Sequence, residues 1–364
     1  MESSRRSRSR AERYVIGIDF GTLSGRALLV DVSTGREVAS AVHEYADGVI
    51  DTALPGDRKP LPPETALQNP ADYLEVLAVT IPQVLRAAKV KPEQIIGLGT
   101  DFTCCTILPV RADSTPLCFE KQWRRNPHAW VKLWKHHAAQ PEADFINEVG
   151  RKRGELFLQT YGGKYSSEWF FSKLLETVRS APEVYDAADR FIEAGDWIVW
   201  QLCGNERRSL SAAGFKAMRV YPENGTRRSR SRWQFPSRGF FKSLHPALER
   251  VVATKLASDF YPLGSKAGEL TPAMAKRIGL APGTPVAVGN IDAHVAVPAC
   301  TVTTSGKMVM ILGTSTCHLL LGETKEEVER NIQEAIEFHL EGLRQEGYEI
   351  PEPSTYSSDI DIAA

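Results

Sequence analysis

Apolar and polar residues alternate in a strand-like pattern near the start of the chain. Residues 14–20, 26–31 and 37–44 each predict a short β-strand, and Ser33, Thr34 and Gly35 form a turn between the second and the third. Residues 95–100 and 106–110 are apolar runs of the kind found in buried strands. The pattern therefore predicts five strands in the first 110 residues.

Segments with the apolar spacing of α-helices lie between these strands and after them. A helix is predicted from Asn69 or Asp72, either of which can cap it, to about residue 88, with its apolar positions on one face. From residue 128 to about 203 the pattern is mostly helical, with an amphipathic run at 168–178, and residues 191–202 are apolar enough to be buried. Strands followed by helices indicate an α/β fold.

The remaining third of the chain predicts shorter elements. These are a helix at 270–280 capped near Thr271, a strand at 284–289, and a hairpin-like pair at 307–312 and 317–321. Thr324 and Glu327 form a capping box at the start of an amphipathic helix within 323–347. Residues 348–364 form a polar tail that we expect to be disordered. The apolar stripe of the last helix contains Val328, Ile332, Ile336, Leu340 and Leu343.

The overall composition is that of an ordinary globular protein with about two domains. The 364 residues include 44 basic and 45 acidic ones, a net charge of −1, and 42% are hydrophobic. This balance gives no reason to expect a nucleic-acid partner, and no apolar run is long enough to span a membrane. The six cysteines show neither a disulfide framework nor a CxxC spacing, so we expect reduced thiols and a cytoplasmic protein.

Charge is unevenly distributed between the two ends of the chain. Residues 1–13 contain five Arg and two Glu, which gives a net charge of +3, and we expect this segment to be disordered. Residues 323–364 contain twelve acidic and three basic residues, which gives a net charge of −9. The string RRSRSR occurs at 5–10 and again at 227–232, inside an irregular insertion at 221–238. Two interpretations stay open: an Arg/Ser element that is phosphorylated or contacts RNA, and a solvated insertion or sequence error.

Two turns rich in Gly, Thr and Ser each follow a buried strand. Such turns present backbone N–H groups and hydroxyls to an anion, and Asp19 at the first one could hold hydrated Mg²⁺ beside a phosphate. Either turn alone could be an ordinary turn, but the two together indicate phosphate binding. The candidate phosphate-binding residues are Gly21, Thr22 and Ser24 in the first turn and Gly313, Thr314 and Ser315 in the second.

Other polar residues lie where they could contact a substrate. Asp292 follows a buried strand and the pair Gly289-Asn290, where a carboxylate could take a proton from an attacking hydroxyl; the alternative is a helix N-cap. Lys216, Asp101 and Thr103 could exchange hydrogen bonds with a polyol. For Lys216 the alternative is an ordinary surface lysine.

Six segments together resemble the ribulokinases, sugar kinases of the FGGY family within the actin-like ATPase superfamily. The resemblance covers roughly residues 14–321, apart from 221–238. It implies an α/β actin-like (ribonuclease H-like) domain over 14–305 with a mixed five-stranded sheet, followed at 306–322 by the start of a second FGGY domain. The segments are GIDFGTLSGRALLVD, GLGTDFTCCTILPV, HAWVKLWKHHAAQPEAD, SLSAAGFKAM, GNIDAHVAVPA and MILGTSTCH.

The resemblance also implies an activity and a set of roles. The activity is transfer of the γ-phosphoryl group of ATP to the C5 hydroxyl of L-ribulose, with ATP and Mg²⁺ as cofactors. Asp292 would be the general base, Asp19 would lie near the metal, and the two turns would bind phosphate. The implied sugar contacts are Lys216, Asp292 and the loop with Asp101, Thr103 and Cys104.

The resemblance to FGGY kinases stops near Leu321. Family members continue into a second domain that supplies an adenine pocket, whereas residues 322–364 resemble the C-terminal end of HicB-type antitoxins. We therefore expect impaired kinase activity and self-association, for example as a homodimer. The alternatives are a non-catalytic sugar-binding protein and an antitoxin-like interaction protein.

Overall fold

The computed structural model describes residues 12–220, 234–256, 259–312, 316–322, 324–345 and 347. The predictions for residues 1–11, for most of the 221–238 insertion, for Gly313, Thr314 and Ser315, and for the tail at 348–364 lie outside the described residues. The chain divides into two compact units: the first ends at Ile291 and the second begins at Asp292. Among the described residues, none of the helices is both long and apolar enough to cross a membrane.

The strands are numbered in chain order. They are β1 (Tyr14–Phe20), β2 (Ser24–Asp31), β3 (Glu37–Glu44), β4 (Leu67–Gln68), β5 (Ile95–Phe102), β6 (Ile107–Val110), β7 (Val131–Lys132), β8 (Arg190–Glu193), β9 (Arg208–Ser209), β10 (Phe260–Tyr261), β11 (Lys266–Glu269), β12 (Pro285–Ala287), β13 (Asn290–Ile291), β14 (Met308–Leu312) and β15 (Thr316–Leu320).

The helices are numbered in the same way. They are α1 (Pro70–Ala88), α2 (Gln140–Arg153), α3 (Leu156–Thr160), α4 (Phe170–Ser180), α5 (Pro182–Ala187), α6 (Ala194–Cys203), α7 (Leu210–Lys216), α8 (Arg238–Leu244), α9 (Val251–Lys255), α10 (Pro272–Ile278), α11 (Asp292–Ala299) and α12 (Lys325–Gln345).

A seven-stranded mixed sheet forms the centre of the first unit. Its order is β11-β12-β5-β1-β2-β3, and β13 also pairs with β5. Strands β1, β12 and β13 run parallel to β5, whereas β1-β2, β2-β3 and β11-β12 are antiparallel. The sheet has more strands than the expected five because the short strands β12 and β13 both pair with β5 and β11 extends the edge. The predicted strands at 14–20 and 37–44 are confirmed at both ends.

A smaller antiparallel sheet, β4-β7-β6-β8, lies within the same unit. Two of its strands, β7 and β8, fall in the region from 128 to 203 that the sequence pattern predicted as mostly helical. They are two and four residues long. A strand this short shows too few alternations to stand out against the helical periodicity around it.

Helix α1 packs on the main sheet through the predicted apolar face. Its N-cap is Asn69, whose side chain accepts a hydrogen bond from the Ala71 N–H, so of the two predicted caps Asn69 is the one used. Val76 on this helix lies so close to β2 that a Cβ on Gly25 would come within 2.6 Å of Val76 Cγ1. A glycine is therefore needed at position 25 for the helix to approach the strand. The buried apolar residues of α1 are Tyr73, Val76, Leu77, Ile81, Val84 and Leu85.

Aromatic rings pack beneath the ends of β1 and β5. Phe20 and Phe102 stack with ring centroids 5.1 Å apart, and Tyr73 contacts the Phe102 ring edge-on at 4.9 Å. All three side chains are almost fully buried. This close-packed cluster fixes the positions of the two strand ends from the core side.

A buried polar network links β7 to α4. Lys132 Nζ donates to Glu176 Oε2 at 2.6 Å and to Thr177 Oγ1 at 2.8 Å, and His136 Nε2 lies 2.9 Å from the same Glu176 oxygen. The Ala66 N–H donates to His136 Nδ1 at 3.2 Å, so the imidazole proton is on Nε2 and points at Glu176. His136 therefore serves as a packed structural residue.

The second unit contains α11, the hairpin β14-β15 and α12. Val297, Val302 and Val309 form its small apolar core. The predicted helix start is confirmed, since Thr324 Oγ1 accepts a hydrogen bond from the Glu327 N–H at 3.1 Å.

Candidate functional site

Three polar residues align at the carboxyl ends of neighbouring parallel strands. Asp19 in β1 is the register partner of Asp101 in β5, and Asn290 in β13 is the partner of Asp101 on the other side. Partners in parallel strands share a face of the sheet, and Phe20 and Phe102, one residue further on, turn to the core face. The carboxyl ends of parallel strands are where α/β folds bind ligands.

The turn after β1 is tight and anchored from several sides. The Gly21 N–H donates to the Ser24 carbonyl at 3.0 Å, and a Cβ at position 21 would lie 3.2 Å from that oxygen. Tyr45 Oη donates to the Gly21 carbonyl at 3.0 Å. Trp134, in the KLWKHH segment, donates from Nε1 to Thr22 Oγ1 at 3.0 Å. This long-range anchor was missed by the sequence analysis, because nothing in the sequence pairs Trp134 with a turn more than a hundred residues earlier.

The candidate metal residue Asp19 is paired with a cation of the protein itself. Arg26 Nη1 lies 2.8 Å from Asp19 Oδ2, and the Arg26 side chain is 51% exposed. An exposed ion pair of this kind contributes little stability, so Arg26 can move aside at low cost. A partly exposed carboxylate beside a glycine turn is a hard oxygen donor of the kind that Mg²⁺ prefers, and the residues present therefore fit the metal.

The loop after β5 contacts the end of β1. The Thr103 N–H donates to the Phe20 carbonyl at 3.4 Å, and the hydroxyls of Thr103 and Thr106 lie 2.8 Å apart. Cys105 has a φ of +64°, unusual for a residue with a side chain, so this loop carries local strain. The structure thus brings two of the sequence-predicted loops together, the one after β1 and the one after β5.

A small cleft opens beside the loop after β5. Its lining includes Thr103 and Cys104, two of the sugar contacts predicted from the sequence. The start of α6, the start of α7 and β13 also line it. Asp101, near the carboxyl end of β5, does not line this cleft. The lining residues are Phe102, Thr103, Cys104, Glu193, Gly195, Asp196, Ser209, Ala212, Gly289, Asn290 and Ile291.

Burial raises the pKa of two carboxyl groups in this cleft. Burial raises the pKa of Glu193 well above its usual range, reinforced by Cys105 and Asp196 and opposed by Lys173. Burial also raises the pKa of Asp196 to about 7, although the Arg208 cation and a hydrogen bond from the Ser209 N–H to Asp196 Oδ1, 2.8 Å long, oppose the rise. Near pH 7 Asp196 is therefore about half protonated, and the cleft is rich in hydrogen-bonding groups.

Two lysines lie close to the Cys104-Cys105 pair. Lys216 ends α7. The hydrogen bond with Cys105 and burial raise the pKa of the Cys104 thiol, and the nearby Lys216 charge opposes that rise, so the sequence-predicted sugar residues Lys216 and Cys104 lie in the same neighbourhood. Lys173 is fully buried and donates from Nζ to the Cys105 carbonyl at 2.7 Å. Burial lowers the pKa of Lys173 to about 8. Its hydrogen bonds give Lys173 a structural role in fixing the strained loop.

The candidate base Asp292 is the first residue of α11 and of the second unit. Its Oδ1 accepts a hydrogen bond from the Ala293 N–H at 2.7 Å. A helix-terminal carboxylate and a general base are both compatible with this position, so its role stays a prediction. The second phosphate turn, Gly313, Thr314 and Ser315, lies outside the described residues.

The sequence analysis missed the polar half of the cleft. Glu193, Asp196 and Ser209 were not singled out, although Glu193 and Asp196 lie in a run that it identified as buried. The signal that could have identified Glu193 and Asp196 is the presence of acidic residues in a run of otherwise apolar residues. Acidic side chains are rarely buried unless they are paired or functional.

The chain is similar in sequence to known ribulokinases. It is 53% identical over 301 residues to the ribulokinase of Bacillus licheniformis, 51% identical over 318 residues to that of Shouchella clausii, and 47% identical over 319 residues to that of Mycolicibacterium smegmatis. These matches cover 83–87% of this chain, and the chain spans 53–55% of the length of those relatives. No family model matches the chain.

Solved sugar kinase structures share the fold. A gluconate kinase from Lactobacillus acidophilus matches with a TM-score of 0.61 at 17% identity, covering 85% of this chain and 54% of the kinase. A xylulose kinase from Rhodospirillum rubrum matches with a TM-score of 0.61 at 18% identity, covering 84% and 54%. The chain is therefore similar in sequence to the ribulokinases over most of its length, has the actin-like ATPase fold of the sugar kinase structures it matches, and spans about half the length of those ribulokinases.

Proposed function

We propose that this chain takes part in the phosphorylation of L-ribulose by ATP, giving L-ribulose 5-phosphate in L-arabinose catabolism. The observation that carries the proposal is the 47–53% identity to proteins named ribulokinase over most of the chain. The geometry supports it in two places: the aligned polar residues at the ends of β1, β5 and β13 with the anchored turn after β1, and the cleft beside the loop after β5.

The turn after β1 and its neighbours would serve the phosphate side. Thr22 and Ser24 would offer backbone N–H groups and hydroxyls to phosphate oxygens. Gly21, whose N–H is bonded to the Ser24 carbonyl, would let the phosphate approach the turn, which Tyr45 and Trp134 hold in place from outside. Asp19 would hold Mg²⁺, which supplies neutralisation of the phosphate charge when bound. Fixing these groups in advance is how such an enzyme lowers the barrier, since phosphoryl transfer depends mostly on position and charge.

The cleft would serve the sugar side. Thr103 and Cys104 line it, and Lys216 lies near enough to influence the Cys104 thiol. Asp292 would take the proton from the C5 hydroxyl as that oxygen attacks the γ-phosphorus. Lys216 and Asp101 would orient the remaining hydroxyls.

We also assign the reaction to the cytoplasm. All six cysteines lie among the described residues and none of them forms a disulfide, which supports a reducing compartment. The proposed partners are the sugar and ATP.

A coupled assay of ADP release with L-ribulose as acceptor tests the proposal. We expect turnover with L-ribulose to exceed turnover with D-xylulose, and Asp292→Asn to lower the rate by about 10²–10⁴-fold. Lys216→Ala should raise the ribulose concentration needed for half-maximal rate, whereas Lys242→Ala, a matched change of a surface lysine paired with Glu249, should change neither quantity. Turnover with D-xylulose that equals or exceeds turnover with L-ribulose, or an unchanged rate in Asp292→Asn, would contradict the proposal.

A further inference from the structure

Gln68 is a buried glutamine whose amide group is hydrogen-bonded on both sides. It lies in β4 and is 1% exposed. Its Nε2 donates to the Thr22 carbonyl at 2.7 Å, and its Oε1 accepts from Tyr73 Oη at 2.6 Å. These two bonds fix which way the amide points, because the reverse orientation would set its oxygen against the Thr22 carbonyl oxygen. Gln68 therefore links the aromatic cluster beneath the strand ends to the turn after β1.

A bond to a carbonyl group also sets the direction of the next N–H group. A trans peptide unit, the form found throughout the described residues, is planar, and its C=O and N–H point in opposite directions. The bond from Gln68 to the Thr22 carbonyl therefore directs the Leu23 N–H away from the buried glutamine. Leu23 is 61% exposed, so this part of the turn is open to solvent and to a ligand.

The hydroxyl group of Thr22 is held from the same side of the fold. Trp134 Nε1 donates to Thr22 Oγ1 at 3.0 Å, so the hydroxyl accepts there and its own proton can be donated elsewhere. Gln68 and Val131 are register partners in β4 and β7, and Trp134 follows β7 by two residues. The small antiparallel sheet and the segment that follows its strand β7 therefore supply both contacts to Thr22.

We propose that Gln68 is a positioning residue for the nucleotide, which fixes the peptide unit between Thr22 and Leu23 in the orientation that receives phosphate oxygens. The inference rests on the proposed function for its ligand, ATP with Mg²⁺. Gln68 acts through Thr22 and not on the ligand, since its own amide is already bonded on both sides. A peptide unit that is fixed before the ligand arrives loses little conformational entropy on binding, which raises the affinity.

Calorimetric titration of ATP with Mg²⁺ into the full chain tests this role. Gln68→Met, which keeps the size of the side chain and removes both hydrogen bonds, should weaken ATP binding about tenfold. Gln68→Glu keeps an acceptor for Tyr73 but places an oxygen against the Thr22 carbonyl, so it should weaken ATP binding at least as much. The affinity for L-ribulose should stay unchanged in both variants, which a general loss of structure would not allow.

Gln201→Met is the matched control. Gln201 donates from Nε2 to Ser114 Oγ at 2.7 Å, and it lies in α6, outside the turn. Its replacement should lower the melting temperature, as Gln68→Met does, but leave the ATP affinity unchanged. Tyr73→Phe is a milder test of the same role, because it keeps the ring in the core and frees only the Gln68 amide oxygen. It should weaken ATP binding about threefold.

The outcomes separate this role from the proposed function. An ATP affinity of Gln68→Met equal to that of the unaltered chain would overturn the positioning role and leave the proposed function standing. An equal loss of ATP and ribulose affinity would also overturn it, because the residue would then serve only the fold. No ATP binding by the unaltered chain would overturn the nucleotide assignment of the turn, and the role of Gln68 with it.

Discussion

Asp19 and Asp101 are register partners at the carboxyl ends of the parallel strands β1 and β5. Adjacent strands lie about 4.8 Å apart, so two acidic residues lie side by side on one face of the sheet, at the carboxyl ends of its central strands. Such neighbours repel each other unless a cation is present, and Arg26 supplies one by its 2.8 Å contact with Asp19. The edge is therefore a place where a positive charge is favoured.

Asp19→Asn should remove most of the metal dependence of nucleotide binding. The amide cannot supply the anionic oxygen that Mg²⁺ prefers, so the difference in affinity between ATP with Mg²⁺ and ATP with a chelator should shrink. Calorimetric titrations under both conditions measure this difference. Asp31→Asn, a change of an aspartate at the opposite end of β2, is the matched control and should keep the difference. A full metal dependence in Asp19→Asn would exclude Asp19 as the ligand.

The elements that the sequence predicted best are those set by local pattern. Strand β1 and the apolar face of α1 follow from the spacing of apolar residues along the chain. Thr271 was identified as the cap of α10, and its Oγ1 accepts a hydrogen bond from the Met274 N–H at 3.3 Å. Thr103 was named from the sequence as a possible polyol contact and Cys104 through the family resemblance, and both line one cleft in the structure.

The parts that could not be predicted depend on contacts between distant segments. The alignment of Asn290 with Asp101 follows from how β13 pairs with β5, and no local pattern encodes that pairing. The same holds for the hydrogen bond of Trp134 to Thr22 and for the placement of Glu193 beside the loop after β5 in one cleft. Each needs the tertiary fold before it can be seen.

Lys132→Met should destabilise the chain strongly. It leaves the Glu176 carboxylate buried beside His136 without its main counter-charge, which costs about 3–5 kcal/mol in comparable cases. Urea unfolding measures the loss. Adding Glu176→Leu to the same variant should restore much of the stability, since the unpaired charge is then removed. A loss below about 1 kcal/mol for Lys132→Met alone would show that the pair is unimportant.

Acid should destabilise the chain in part through His136. Burial lowers the pKa of His136 to about 4 from its ordinary 6.5, with hydrogen bonding to Glu176 opposing the shift and Lys132 and Lys173 adding to it. Because the folded pKa lies below the unfolded one, the stabilisation is fully present above pH 6.5 and is lost as the pH falls through 4. The loss from this residue is about 3 kcal/mol.

His136→Gln isolates that contribution. Glutamine can donate to Glu176 but does not titrate, so its free energy of unfolding should fall less between pH 7 and pH 4 than that of the unaltered chain. Denaturant titrations at several pH values give the two slopes. Identical slopes would mean that other groups account for the acid sensitivity.

Residues 221–233 should be removable without loss of the fold. Val220 and Gln234, on either side, form an antiparallel bridge in which each N–H donates to the other carbonyl at 2.9 Å. A two-residue Asn-Gly turn closes such a pair. The shortened chain should melt within about 1.5 °C of the original, a change that corresponds to about 1 kcal/mol, and failure to fold would show that the segment is structurally required.

A crystal structure of the chain with L-ribulose bound tests the central claim most directly, since it shows where the sugar lies. The account predicts the ketopentose beside the loop after β5, in contact with Thr103, Cys104 and Lys216. Ribulose bound at a different surface, or an empty cleft at a saturating ribulose concentration, would contradict it.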